Sequence, residues 1–174
     1  MSFDPDKGLL LETLLLESCL LTGKTRFKEN QALVSVKPEE DETILFFSID
    51  DQSNPKCKLR QLLWGKQKGQ SLCDLIVFYA KEDERIFCFV ELKDNIKDIG
   101  HATEQVKNTY ERFRQYLSPK YCYTAKTFIF ASGGSVPKNL KTYQTTLNKV
   151  FKGHFAISKN KDKFGDFLRG VKKK

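Results

Sequence analysis

Residues 71–93, SLCDLIVFYAKEDERIFCFVELK, contain two apolar runs joined by a short charged turn. Such a pattern predicts two antiparallel strands. Side chains alternate between the faces of a strand, so Glu91 and Lys93 lie on one face and Leu92 on the other. Asp74 begins the first strand and therefore lies roughly opposite the end of the second. Two carboxylates and an ammonium group are predicted to meet at one edge of a sheet that is apolar on both faces.

Unpaired charge is costly beside apolar surface, so this group of side chains requires an explanation. A divalent-metal site for phosphodiester hydrolysis provides one. Carboxylates are hard oxygen ligands that suit Mg²⁺ or Mn²⁺, and a bound cation neutralises charge on phosphate and makes its water easier to deprotonate. The lysine two residues further on can hold that water. The alternative is an ordinary ion pair at a solvated strand end, which has little energetic consequence.

Charge is distributed unevenly along the 174 residues, a length that favours one domain. Residues 1–87 hold 12 lysines and arginines against 15 acids, a net charge of −3, and residues 88–174 hold 18 against 7, a net charge of +11. A basic half that follows an acidic sheet edge suits a polyanionic substrate such as nucleic acid. A merely solvated basic surface is the alternative.

Cysteine usage and hydropathy bear on location. The five cysteines are odd in number and show no Cys-x-x-Cys spacing, and Cys73 and Cys88 have the sequence context of buried small apolar residues. This favours a cytoplasmic, reducing environment. The apolar run at residues 9–21 is interrupted by Glu12 and Glu17 and has no basic segment before it. It is expected to be neither a signal peptide nor a membrane span, and no membrane partner is predicted.

Hydrophobic periodicity predicts the remaining elements. The first half is expected to contain a leucine-rich helix over residues 7–22 and strands over residues 31–37 and 43–49 on either side of the acidic segment 38–42. That acidic segment is interpreted as a solvated loop that faces away from nucleic acid. The second half is expected to contain a helix from Asp98 to about Leu117, then a strand at 127–131, a helix at 137–151, an edge strand at 154–158 and a terminal amphipathic helix.

Residues 51–70 form the longest irregular segment and lead directly into the strand that begins near Asp74. Loops of this kind commonly carry binding residues. A short helix is predicted at 59–64, and Trp64 either fills the core or stacks on a base. The candidate nucleic-acid contacts are basic: Lys56, Lys58, Arg60, Lys66 and Lys68.

Asp74, followed by Glu91-Leu92-Lys93 at the end of the next strand, resembles the PD-(D/E)xK nuclease superfamily, which includes restriction endonucleases and Holliday-junction resolvases. Cys73 stands where the motif's proline would be. The predicted element order is similar to the α-β-β-β-α-β core of that superfamily.

The resemblance therefore implies an α/β fold of the restriction-endonuclease type, with a mixed central sheet flanked by helices. It covers about residues 7–135, and residues 136–174 are expected to be a basic extension outside the core of a single domain, 1–174.

The resemblance also implies site roles. Asp74 and Glu91 would bind Mg²⁺ or Mn²⁺, with the Leu92 carbonyl as a direct ligand and Glu12 as a further one through water. Whether Glu12 or Glu17 faces the site stays open.

Lys93 would orient the attacking water. Gln105 lies in a short match, His101 to Gln105, to the glutamine-bearing helix of several branches of the superfamily, and it would support the lysine or the phosphate. The expected activity is hydrolysis of nucleic acid, most simply DNA, which leaves 5′-phosphate ends.

One alternative function and the oligomeric state remain open. A nuclease fold without activity would serve as a nucleic-acid-binding or assembly subunit, although buried charges without a metal would then be a burden. Enzymes of this fold often dimerise to cut both strands, so a homodimer is also left open.

Overall fold

The computed structural model describes residues 9–51, 53–64, 71–117 and 120–171. The helices within these ranges are α1 (Leu11–Leu14), α2 (Lys58–Trp64), α3 (Ile99–Tyr116), α4 (Leu140–Phe151) and α5 (Lys163–Arg169). The strands are β1 (Arg26–Glu29), β2 (Ala32–Ser35), β3 (Thr43–Ser48), β4 (Leu75–Lys81), β5 (Glu84–Asn95), β6 (Thr124–Gly133) and β7 (Phe155–Ser158). A 3₁₀ turn, Ile96–Asp98, leads from β5 into α3.

Five strands form one mixed sheet in the order β3-β4-β5-β6-β7. The strands β3 and β5 each run antiparallel to β4, which lies between them, whereas β5, β6 and β7 run parallel and are connected through α3 and α4. The hairpin of β1 and β2 forms a separate two-stranded sheet. The α/β class with a mixed sheet flanked by helices is therefore confirmed.

The two faces of the sheet carry different apolar clusters. Phe87 and Phe89 lie on the face covered by α3, where both rings contact Phe113. Ile86, Cys88 and Val90, which alternate with these two residues, lie on the opposite face. That face is covered by the β1–β2 hairpin and α5. The alternation predicted for β5 is confirmed, and burial on both faces explains why the strand is apolar throughout.

The helix predicted over residues 7–22 is wrong over most of its length, because only Leu11–Leu14 is α-helical among the described residues of that stretch. The segment after α1 instead completes the edge of the sheet. The Leu21 amide donates to the Phe46 carbonyl (2.8 Å), and the Ser48 amide donates to the Cys19 carbonyl (2.9 Å). The leucine-rich segment thus pairs with the edge of β3 instead of forming one face of a long helix.

The acidic segment 38–42 was expected to be a solvated loop, and the structure corrects this for Glu42. Its side chain is fully buried and forms a two-pronged ion pair with Arg169, with both N···O distances 2.8 Å. The Tyr79 hydroxyl also donates to Glu42 (3.0 Å). This end of the acidic segment is therefore anchored to the last helix.

The extension predicted at 136–174 adds a helix, a strand and a terminal helix to the sheet. The edge strand predicted at 154–158 is observed as β7, which pairs with β6, and α5 packs onto the sheet. The Phe164 ring is fully buried against Phe128 and Phe46, with centroid distances of 5.1 and 6.2 Å. Residues 172–174 lie outside the described residues.

No helix within the described ranges has the length and the apolar character that a membrane crossing requires. All five cysteines are free thiols, and Cys73 and Cys88 are buried as expected.

Candidate metal centre

The hairpin of β4 and β5 brings the two predicted carboxylates together. Leu75 pairs with Val90, so the next position places Asp74 opposite Glu91. The Asp74 carboxylate accepts a hydrogen bond from the Leu92 amide (2.7 Å), and the Glu91 carboxylate accepts one from the Asp74 amide (3.1 Å). Each carboxylate is therefore fixed by the backbone of the neighbouring strand.

Lys93 completes the group that the sequence predicted. Its Nζ lies 2.6 Å from Glu91 Oε1. Glu91 is 1% exposed, Asp74 is 7% exposed and the Lys93 side chain is 16% exposed. The ion pair is therefore not at a solvated strand end, where such pairs contribute little. It lies at the inner boundary of the core, where the arrangement of charge has large energetic consequences.

Helix α3 supplies the fourth predicted side chain. Gln105 lies on the buried face of α3, where its Oε1 accepts a hydrogen bond from Lys93 Nζ (2.7 Å) and its Nε2 donates to the Leu72 carbonyl (2.9 Å). One turn later, Thr109 Oγ1 accepts a hydrogen bond from the Cys73 amide (2.9 Å). The helix therefore holds both the lysine and the backbone that leads into Asp74.

Burial and mutual repulsion govern the titration of the two carboxylates. Burial raises the pKa of Asp74 to about 7, with smaller contributions from the charges of Glu29 and Asp50. Burial is the main cause that raises the pKa of Glu91 to about 8, and the negative charge of Asp74 is the second. The positive charge of Lys93 lowers the same pKa, but by less. Additional positive charge at this place would favour the ionised form of both groups.

A third acid near the site was not identified from the sequence. The Ile49 amide donates to the Asp74 carbonyl (3.1 Å), and Asp50 is the next residue, two positions after the end of β3. Partial burial raises the pKa of Asp50, while the charges of Arg60 and Lys93 lower it. The available signal was its position immediately after a predicted strand. Glu29 was missed because β1 itself was not predicted.

The structure does not bring Glu12 or Glu17 to the site. Glu12 is exposed and accepts a hydrogen bond from the Tyr121 hydroxyl (2.6 Å), which lowers its pKa. Tyr121 lies just before β6, whose first residue pairs with Ile86. Ile86 is five residues from Glu91 along β5, a distance of about 17 Å. Glu12 therefore lies at the opposite end of β5 from Glu91. Glu17 accepts hydrogen bonds from the backbone at the start of α2. Glu12 is therefore corrected as a metal ligand.

The predicted basic contacts have different environments. Lys56 and Lys58 are exposed at the start of α2. Arg60 is 2% exposed and lies over the Trp64 ring, with 4.2 Å between the guanidinium carbon and the ring centroid. Arg60 is therefore not a surface contact, because it is buried with an aromatic partner. Lys66 and Lys68 lie outside the described residues.

The donor set fits a hydrated Mg²⁺ or Mn²⁺ ion. The two buried carboxylates supply hard oxygen donors, and their pKa values are raised in spite of the nearby Lys93, so a cation would stabilise their ionised forms. In the part of the chain that the structure describes, no group of three or more His, Cys, Asp or Glu side chains is placed to hold an ion jointly. A cation at Asp74 and Glu91 would therefore keep waters or take phosphate oxygens, which is the usual coordination of Mg²⁺. The Leu92 carbonyl as a ligand stays a prediction.

Comparisons with protein-family models, with curated proteins and with solved structures gave no match to this chain.

Proposed function

We propose that this chain is a metal-dependent nuclease that hydrolyses phosphodiester bonds, with DNA as its substrate. The single observation that carries the proposal is the buried meeting of Asp74, Glu91 and Lys93 at one end of the β4–β5 hairpin. The order of strands and helices, with three antiparallel strands followed by a helix and a parallel strand, supports the resemblance to the PD-(D/E)xK superfamily.

Asp74 and Glu91 would hold Mg²⁺ or Mn²⁺. When bound, the cation supplies positive charge to the phosphate and lowers the pKa of a coordinated water. Both carboxylates are already oriented by backbone amides, at 2.7 and 3.1 Å, so little reorganisation is required of them.

Lys93 is the group that orients the attacking water and stabilises negative charge on the phosphate. Its ammonium nitrogen is held between Glu91 Oε1 (2.6 Å) and Gln105 Oε1 (2.7 Å). A third donor position of the ammonium remains for water or a phosphate oxygen, because an ammonium group has three N–H bonds. Attack at phosphorus breaks the bond to the 3′-oxygen and leaves a 3′-hydroxyl and a 5′-phosphate.

Gln105 is a positioning residue in this proposal. Its amide nitrogen is anchored on the Leu72 carbonyl, which leaves its oxygen to fix the lysine. Substrate affinity would come from basic side chains, including the exposed Lys56 and Lys58, and would fall as salt concentration rises.

The test is cleavage of labelled linear, circular and branched DNA with Mg²⁺ and with chelator. Glu91→Gln and Lys93→Met should each reduce the Mg²⁺-dependent rate by about 10²-fold or more. The matched control is Glu104→Gln, which changes an exposed acid of α3 next to Gln105 and should leave the rate unchanged. Undiminished cleavage by either site variant would refute the assignment.

The alternative, an inactive nucleic-acid-binding subunit, is favoured if the wild-type chain binds DNA but cleaves none of these substrates with any divalent cation.

A further inference from the structure

The last strand of the sheet, β7, has a neighbouring strand on one side only. It pairs in parallel with β6, and no strand among the described residues lies on its other side. Thr127 pairs with Phe155, and the Thr127 amide donates to the His154 carbonyl (3.0 Å). In such a ladder, residues that bond to the neighbouring strand alternate with residues that point away from it. The amides and carbonyls of Phe155 and Ile157 therefore face outward, and no described residue forms a hydrogen bond with them.

An apolar groove lies beside this open edge. Its volume is about 380 Å³, and its walls include Ala156 of β7, Phe128 of β6 and Phe167 of α5. Side chains of an extended chain alternate between the two faces of a sheet. A strand that paired with β7 would therefore direct some of its side chains towards the groove.

The sequence around β7 is strongly basic. Residues 149–163 hold five lysines and one acid. Lys152, Lys159 and Lys161 are exposed on the segments that precede and follow the strand. Lysines at a sheet edge oppose pairing with other edges, and they attract a chain of opposite charge. The charge of this edge therefore selects an acidic partner.

Two other occupants fit the edge less well. Pairing of β7 with β7 of a second copy would bring two basic segments together, and like charges on adjacent strands are destabilising. Nucleic acid would satisfy the lysines, but its phosphates only accept hydrogen bonds and would leave the outward carbonyls of Phe155 and Ile157 unpaired. A peptide supplies backbone donors, backbone acceptors and side chains for the groove.

We propose that β7 binds an acidic, extended peptide segment of a partner protein, which adds to the sheet as a further strand. The peptide backbone pairs with Phe155 and Ile157, its apolar side chains enter the groove beside α5, and its carboxylates lie near the exposed lysines. The strand β6 separates β7 from β5, which carries Glu91 and Lys93. The inference therefore needs neither a metal ion nor nuclease activity.

The test uses the full chain in chelator, with a fluorescein-labelled peptide of alternating glutamate and valine as the probe. We expect saturable binding by fluorescence anisotropy. Hydrogen exchange followed by NMR should slow at the amides of Phe155 and Ile157, because these amides become hydrogen-bonded. A peptide of equal length with lysine in place of glutamate should bind about tenfold more weakly, because its charge is repelled.

Ile157→Pro removes one outward amide, and a proline is tolerated at an edge position whose amide faces away from the ladder. This variant should bind the acidic peptide about tenfold more weakly. The matched control is Ile157→Val, which keeps the amide and should bind as wild type does. Circular dichroism checks that both variants are folded.

A second variant, Lys161→Glu, tests the role of charge without touching the strand, and it serves should the proline variant unfold. It should weaken binding about threefold or more. Its matched control is Lys24→Glu, which changes an exposed lysine near β3 at the opposite edge of the sheet and should leave binding unchanged.

Four results would overturn the proposal. The first is no binding of the acidic peptide at millimolar concentration, and the second is binding that leaves exchange at Phe155 and Ile157 unchanged. The third is protection of these amides by duplex DNA in place of the peptide. The fourth is protection that rises with protein concentration alone, which would indicate pairing between two copies.

Discussion

Glu91 and Asp74 place the stability of this protein under the control of pH. Their pKa values in the folded chain, about 8 and about 7, lie above the values near 4 expected in the unfolded chain. Between pH 4 and 8 the folded chain therefore binds more protons than the unfolded chain. The free energy of unfolding should fall as pH rises through this window in the absence of metal.

Urea unfolding in chelator at pH 5 and at pH 8 measures this effect. Wild-type protein should be less stable at pH 8, and Glu91→Gln, an analogue of the protonated acid, should remove part of the difference. Equal pH dependence in the two proteins would show that Glu91 is not the titrating group.

Gln105 connects α3 to two parts of the site, so its replacement should affect both stability and catalysis. Gln105→Leu removes the acceptor of Lys93 and leaves the buried Leu72 carbonyl without its donor. We expect a loss of about 1–3 kcal/mol in the free energy of unfolding, because a buried polar group is left unpaired.

The measurement for Gln105→Leu is urea unfolding at pH 7, together with the cleavage rate. Glu104→Gln is the control and should stay within about 0.5 kcal/mol of wild type. A Gln105→Leu variant as stable as this control would contradict the role assigned to the two hydrogen bonds.

Asp74, Glu91, Lys93 and Gln105 were predictable because they depend on local rules. Strand alternation and hairpin register fix the first three, and helical spacing after the next turn places the fourth. The position of Asp50 after a predicted strand did not suffice to identify it, because its proximity to the site depends on how the end of β3 lies beside Asp74, which no local pattern encodes.

At the scale of elements, the pair of Glu42 and Arg169 connects the loop before β3 to α5. Hydrogen bonds from Arg169 lower the pKa of Glu42 to about 2. A depressed pKa contributes stability that is present above the unfolded value, about 4.3, and is lost as pH falls towards 2. Glu42→Gln should therefore destabilise the protein by about 1–3 kcal/mol at pH 7 and make it less sensitive to acid.

Acid titration of the free energy of unfolding from pH 5 to pH 2 checks this prediction. The control is Glu40→Gln, which changes an exposed acid of the same loop. An acid response of Glu42→Gln equal to that of wild type would contradict the assigned role.

Elements with strong local signals were predicted well, and those that depend on tertiary contacts were not. The helix α3 and the strands β4 and β5 follow from periodicity. The helix predicted over residues 7–22 was wrong because a leucine-rich segment was interpreted as the apolar face of a helix. The backbone of residues 19–21 pairs with β3 instead. Glu17, expected on that helix, instead holds the first amides of α2.

At the scale of the whole molecule, the C-terminal helix α5 packs on the same sheet as the site, but on the face opposite Glu91 and Lys93. Phe164 is fully buried between Phe46 and Phe128, and Phe128 lies on the same strand that pairs with β5. Phe164→Ala should cost about 3–5 kcal/mol, because a large cavity opens in the core.

Unfolding of Phe164→Ala should be followed both by the fluorescence of Trp64, the single tryptophan, and by far-ultraviolet circular dichroism. The two transitions should shift together to lower urea concentration, as expected if α5 and the region of α2 unfold as one unit. Val171→Ala, at an exposed position beyond α5, is the control. Separate transitions would contradict cooperative unfolding of the two faces of the sheet.

Calorimetric titration of Mn²⁺ into the protein at pH 8 measures whether Asp74 and Glu91 bind one divalent cation. We expect one ion per chain in the wild-type protein and no binding in Glu91→Gln, which is isosteric and should remain folded by thermal melting. An absence of binding to wild-type protein at millimolar Mn²⁺, or unchanged binding in Glu91→Gln, would contradict the account.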